Sequence, residues 1–322
     1  MKQGMLSSFD ADRLADPAAP SLRTALAFRA RSLRNLLRMG HCAPTVMKTL
    51  LDICGEKESW PVKMTAGLPG GIGDTGFECG GITAPLIFFG LRHGLREKRD
   101  GLPVVFYHGH EYYRRFLERN GAAFCREIRG ENYRLTHCIR AVCGSPETAA
   151  ASLLREGDAA IPAERREAYK LMYSHFEGRG FHCARHVLRR LGPEVPPRPE
   201  LLDAASGFLG GTAFLGLTCS ALTAGVMALG FGLREFEDSF PRVLRMIVIM
   251  KTGGNAFADH LNRFNGTMNR GKELARWFAG EFGDTQCRAL TGCDLSSVAD
   301  VGRYIETDRA GLCRAISDKV AE

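Results

Sequence analysis

The chain has no basic block interleaved with aromatic residues. Its 43 Lys and Arg are scattered among 36 Asp and Glu, for a net charge of +7 over 322 residues. Such scattering is the signature of a solvated surface and argues against a nucleic-acid partner. No basic start followed by an apolar stretch opens the sequence; Met1–Pro20 is polar, with Asp10, Asp12 and Asp16. A secretory signal is therefore not expected, and a cytoplasmic, reducing setting is. There is no Gly-x-Ser-x-Gly elbow and no repeated Asp/Glu pair, so serine and carboxylate catalysis lack their residues. The absence of Cys-x-x-Cys-His excludes covalent c-type haem. Sustained strand alternation is missing too, which leaves an all-α fold. Gly70-x-x-Gly73 follows no strand and has no acidic ribose partner, so a dinucleotide fold is not indicated. Ala204–Leu233 carries no charge and is long enough to cross a bilayer. Its first-half counterpart holds Asp74 and Glu78, and glycines break both stretches; each reads as a loop followed by a buried helix.

What the chain does have is a repeat built on cysteine. His41-Cys42-Ala43 returns as His182-Cys183-Ala184. Gly70-Gly71 followed by Cys79 returns as Gly210-Gly211 followed by Cys219. Cys125-Arg126 returns as Cys287-Arg288, and Cys138-Ile139-Arg140-Ala141 as Cys313-Arg314-Ala315. A period of about 140 to 170 residues is far too long for a solenoid unit and means a duplicated domain. The expected division is a first cysteine-rich repeat over 1–145, a linker over 146–170 and a second repeat over 171–322. Of the 11 cysteines, Cys54, Cys143 and Cys293 have no counterpart.

Helical periodicity covers most of the rest. Ser21–Arg38 places Leu22, Leu26, Ala30, Leu33 and Leu37 on one stripe, and Cys42–Cys54 turns Val46, Leu50 and Ile53 inward. Gly-rich turns at 67–76 and 207–216 lead into helices over 80–89 and 220–229, which Gly90 and Gly230 are expected to close. Helices follow over 111–118, 184–191, 242–250 and 272–282. Gly192–Pro199 reads as an extended surface loop, and the unmatched Lys251–Asn269 as an exposed excursion. His108 and His110 lack counterparts and are assigned to the surface.

Four thiols per repeat suit a soft metal. Cys42, Cys79, Cys125 and Cys138, and then Cys183, Cys219, Cys287 and Cys313, could complete a [2Fe–2S] cluster in each half or a tetrahedral zinc site. A third reading is an oxidoreductase with no cofactor, in which low-pKa Cys79 and Cys219 attack and a neighbouring thiol resolves. Arg126, Arg140, Arg288 and Arg314 are expected to lower the thiol pKa values. Gly70, Gly71, Gly210 and Gly211 permit the positive φ that a turn wrapping a cofactor requires. His41 and His182 are either alternative ligands or locally bonded helix-start residues. Thr83 and Thr223 are expected to bond back to their own helices.

Cys79-Gly80-Gly81-Ile82-Thr83-Ala84 and Cys219-Ser220-Ala221-Leu222-Thr223-Ala224-Gly225, with their flanking cysteines, resemble the C_GCAxxG_C_C family of redox-active proteins. The resemblance spans nearly everything after the first 35 or so residues, as two tandem copies. Gly81 stands where the pattern has alanine, Ser220 where it has glycine, and Pro85 falls early in its helix. The resemblance implies redox function. Similar domains in split-Soret-type cytochromes carry an iron–sulfur centre, which favours a cluster here. It also implies a redox partner protein and an association with a membrane transporter or electron-transfer system.

Overall fold

In the computed structural model, residues 22–130, 135–153, 161–191, 199–233, 236 and 239–322 are described. The first half holds α1 (Leu22–Met39), α2 (Cys42–Ile53), α3 (Trp60–Met64), α4 (Gly80–His93), α5 (Val104–Asn120), α6 (Cys125–Arg129) and α7 (Leu135–Leu153). The second holds α8 (Ala163–Gly178), α9 (Cys183–Arg190), α10 (Pro199–Ala204), α11 (Ser220–Leu229), α12 (Phe240–Lys251), α13 (Arg263–Phe282), α14 (Cys287–Thr291), α15 (Val298–Glu306) and α16 (Arg309–Ala321). Among the described residues there is no strand, only isolated bridges at Glu78–Phe124, Glu97–Pro103 and Thr218–Gln286. The fold is all-α. Among the same residues no helix is long and apolar enough to cross a membrane.

The chain packs as two compact units. One gathers the described residues within Met1–Pro85, Tyr112–Glu156 and Leu229–Glu273; the other those within Leu86–Glu111, Gly157–Ala228 and Leu274–Glu322. In the first, α1 packs on α2, α7 and α12, and α2 also packs on α7 and α3. Val46, Met47, Leu50, Val62 and Met64 are buried there. In the second, α16 packs on α9, α14 and α15, and α15 packs on α8. Its core is aromatic: Phe214 lies 4.8 Å from Phe106 and stacks on Tyr169 at 5.3 Å.

Several elements differ from what the sequence suggests. The span expected as a linker is helical over 146–153, inside α7, and again from Ala163 in α8, while 154–160 lie outside the described residues. Ser145, Thr148 and Ser152 each return a hydroxyl bond to the carbonyl four residues back, so Pro146 is carried inside a helix. Gly90 does not close α4, which continues to His93. Its role is clearance: a Cβ there would lie 2.3 Å from the Asp203 carbonyl oxygen. Gly230 does end α11, passing into a short 3-10 turn. The expected loop over 192–199 lies outside the described residues except Pro199, which opens α10.

The α1 leucine stripe is not the buried face. Leu26 and Leu33 are 54% and 43% exposed, whereas Ala25, Phe28, Ser32, Asn35 and Met39 are buried. Asn35 explains the rotation, because its amide donates to Thr49 Oγ1 and Asp52 Oδ2 on α2. Lys251–Asn269 is an exposed excursion only in part: 251–255 are exposed, but Ala256, Leu261, Asn262, Phe264, Asn265 and Met268 are buried. His108 and His110 are buried as well; His110 Nε2 lies 2.7 Å from the Ala213 carbonyl and His108 stacks on His93.

Candidate redox centres in the two copies

Each Gly-rich turn follows the same path. Residues 70, 71, 72, 73, 74 and 76 have positive φ in the first copy, and 210, 211, 212, 213, 214 and 216 in the second. Gly73, Asp74, Gly76 and Phe77 donate backbone bonds to Gly67, Pro69, Gly70 and Gly71; Ala213, Phe214, Gly216 and Leu217 repeat them to Gly207, Leu209, Gly210 and Gly211. Thr212, Ala213 and Phe214 hold the left-handed region without being glycine, a strain the surrounding bonds must offset. Gly71 and Gly211 are required: a Cβ would fall 2.4 Å from the Phe77 oxygen in one and 2.5 Å from the Leu217 oxygen in the other.

The turn delivers one cysteine beside another. Cys79 N donates to Ala123 O at 2.9 Å while Cys125 N donates to Phe77 O at 2.7 Å. In the second copy Cys219 N donates to Thr285 O at 2.8 Å and Cys287 N to Leu217 O at 2.7 Å. These bonds belong to the bridges Glu78–Phe124 and Thr218–Gln286. They clamp residues far apart in sequence into register in both copies.

The remaining cysteines also stand at helix starts. Cys42 opens α2 and Cys183 opens α9; Cys79 and Cys219 immediately precede α4 and α11; Cys138 and Cys313 lie near the starts of α7 and α16. Unpaired N–H groups and the positive end of the helix dipole favour negative sulfur at such places. Gly81 N lies 3.4 Å from Cys79 Sγ. Backbone N–H groups of Gly70, Ala43 and Gly80 bond to Cys42, and those of Ala221 and Leu222 to Cys219.

Burial nevertheless dominates. It pushes Cys125 and Cys219 up to about 12 and Cys138 up to about 11, and raises Cys42, Cys79 and Cys287 as well. Mutual repulsion adds to this: Cys79 feels Cys42, Cys125 and Cys138, and Cys125 feels Cys42 and Cys138. Cys287 feels Cys313, Cys219 and the unmatched Cys293. The four thiols of each copy are thus electrostatic neighbours. As the side chains stand, no group of three or more His, Cys, Asp or Glu among the described residues is arranged to hold a metal ion.

The expected low thiol pKa is therefore overturned for Cys79 and Cys219, and the arginines differ from those anticipated. Arg129 lowers Cys125 and Cys138. Arg126 lies over the Phe124 ring, Arg140 is exposed and Arg314 lies over Phe181. Only Arg288, acting on Cys287, matches the expected set. The exception is Cys313. A hydrogen bond with Cys183 and a second from Tyr304 OH, 3.1 Å from its sulfur, hold it below the usual thiol range. The Cys183 thiol is raised in turn, chiefly by that bond and by burial. Replacing Tyr304→Phe should slow iodoacetamide alkylation of Cys313 at pH 8 by about fivefold, the worth of one hydrogen bond. Peptide mass spectrometry reads this, and an unchanged rate contradicts the assigned donor.

Both histidines are hydrogen-bonded within the protein, His41 to a residue distant in sequence and His182 locally. His41 Nε2 lies 2.7 Å from Asn265 Oδ1, and burial lowers its pKa to about 4. His182 Nδ1 accepts from Arg185 N as a helix cap, Nε2 lies 3.2 Å from Ser206 O, and burial lowers it to about 3. Thr223 bonds back to Cys219 O as expected, but the buried Thr83 hydroxyl has no partner among the described residues. The copies also differ for visible reasons. A Cβ at Gly80 would lie 2.6 Å from Cys42 Sγ, whereas Ser220 uses its Cβ to place a hydroxyl that accepts from Gly211 N. Gly81 leaves room that alanine would take from Ser145 Oγ, 2.6 Å from such a Cβ.

Neither a curated protein nor a solved structure matches the chain. Residues 40–156 and 181–322, holding the two clamps and all eight repeated cysteines, match the family described as "Putative redox-active protein (C_GCAxxG_C_C)". The chain belongs to the C_GCAxxG_C_C family, in two tandem copies.

Proposed function

We propose that each copy binds an iron–sulfur cluster of the [2Fe–2S] type through its four cysteines, and that the protein carries electrons to or from a partner protein. The observation supporting this is the duplicated clamp: the same backbone bonds and the same positive-φ turn gather equivalent thiols twice. Four thiolates are a complete ligand set for such a cluster, which supplies reversible one-electron chemistry when bound. The chain's own part is to remove the protons, to close the sulfur atoms inward, and to hold the assembled charge. Helix-start N–H groups and Arg129 serve that last purpose in the first copy, and Arg288 with Tyr304 in the second. Burial excludes water from the sulfurs and disfavours the charged thiolate without metal, which makes occupancy steeply dependent on pH.

Protein purified without oxygen should be coloured, with iron and acid-labile sulfide in equal amounts and an electron paramagnetic signal after reduction. A colourless product with neither element, even after reconstitution, contradicts the proposal.

The Cys183–Cys313 hydrogen bond favours a second reading, a dithiol centre. There the two thiols would lose two protons and two electrons to a disulfide substrate, forming one S–S bond and releasing two substrate thiols. Zinc in place of iron would leave a structural protein without redox change. A cytoplasmic setting and an association with a transporter or electron-transfer system belong to the same proposal.

A further inference from the structure

Three of the first copy's four thiols line a cavity with apolar walls. It has a volume of about 160 Å³ and lies wholly within the first compact unit. Cys42, Cys125 and Cys138 line it on one part of its wall. Leu33 and Leu37 of α1, Val243, Met246 and Met250 of α12, and Met268 of α13 supply apolar wall. We propose that this cavity binds an uncharged aromatic molecule of about one ring in size, next to the first redox centre.

Its size sets the scale, because an apolar cavity of about 150 Å³ takes up benzene. The charge follows from the lining. Asp74 and Arg129 are the only lining residues that carry a full charge, and they pair with each other at 3.0 Å; Lys272 adds a second bond to Asp74 at 3.1 Å. His41 Nε2 lies 2.7 Å from Asn265 Oδ1. The other lining side chains are uncharged and mostly apolar, so a ligand without charge enters with no ion to desolvate. Aromatic character follows from the three methionines, whose polarizable sulfur packs well on ring edges and adapts to their shape.

The wall is built for this copy. Helix α1 lies outside the family match, and Lys251–Asn269 has no counterpart in the first half of the sequence. That segment is fixed to the α1–α2 turn: Asn262 donates to Met39 O at 2.9 Å, and Asn265 holds His41. A Cβ at Gly40 would meet Val243 at 3.1 Å, so α12 is packed tightly against the α1–α2 turn.

The inference does not require iron at the thiols. The test is fluorine NMR of fluorobenzene titrated against the full chain, with iron and sulfide measured on the same samples. Wild-type protein should shift the resonance saturably. Met250→Trp should weaken binding by about tenfold by filling the space, while Leu244→Trp on the exposed face of α12 should leave it unchanged. Met246→Phe, a smaller intrusion, provides the second variant and should weaken binding in the same direction. Absence of saturable binding, or equal binding by wild type and both cavity variants, overturns the proposal. Iron content failing while binding persists would remove the cluster and leave the ligand site intact.

Discussion

Acidifying the metal-free protein from pH 7.5 to pH 5 should remove about 8 kcal/mol of folding stability, enough to unfold a typical domain. The groups responsible are the buried His41, His110 and His182 and the half-buried His93. Burial lowers His41 and His110 to about 4, and His93 and His182 to about 3. Neighbouring charge reinforces this for His93, beside His108, Arg92 and Arg96, and for His182, beside Arg185. Each folded-state value lies below the 6.5 of an unfolded histidine. The unfolded chain therefore binds protons that the folded chain refuses, and the stabilisation present above pH 6.5 is withdrawn as pH falls through that value. At pH 5 each histidine has withdrawn about 2 kcal/mol, at 1.4 kcal/mol per pH unit. Urea unfolding followed by circular dichroism across this range reads the effect. A free energy that stays flat from pH 7.5 to pH 5 contradicts the burial and neutrality of these side chains.

Gly80→Val should damage the first centre, costing about 3 kcal/mol. The Cβ it introduces would lie 2.6 Å from Cys42 Sγ, 2.8 Å from Ala43 N and 2.9 Å from Ala43 Cβ. Two of those atoms belong to the start of α2 and cannot rotate away, so α2 and α4 must separate and carry Cys42 from Cys79. The equivalent Ser220 already has a Cβ, and its hydroxyl accepts one bond from Gly211 N at 3.2 Å. Ser220→Ala should therefore cost only about 1 kcal/mol. Equal shifts in the urea midpoints of the two variants would contradict the close approach in the first copy.

The cysteine repeat, the all-α class and the paired glycine turns were legible because they are local. Composition and positive-φ demand mark a turn such as 67–76 directly. The bridge that clamps Cys79 to Cys125 was not legible, since two backbone bonds between distant residues leave no periodic trace in sequence. Gly90 looked like a helix stop because glycine serves equally for a cap and for a close approach, and only the Asp203 carbonyl decides between them. The buried face of α1 was misread because Asn35, a polar residue, anchors it while leucines remain outside. His108 and His110 were assigned outward for want of a counterpart and Lys251–Asn269 for its polar, unmatched sequence, yet both histidines and much of that segment are buried. The thiol pKa values were misjudged for a related reason: adjacent arginines are visible in sequence, but desolvation is not.

The account rests on each copy acting as a separate four-thiol unit. Iron and sulfide per chain, measured without oxygen in wild type, Cys125→Ser, Cys287→Ser and the double variant, tests that directly. Two independent clusters give about four irons per chain in wild type, about two in each single variant and almost none in the double. Loss of all iron in one single variant, or full retention in both, would contradict two self-contained centres.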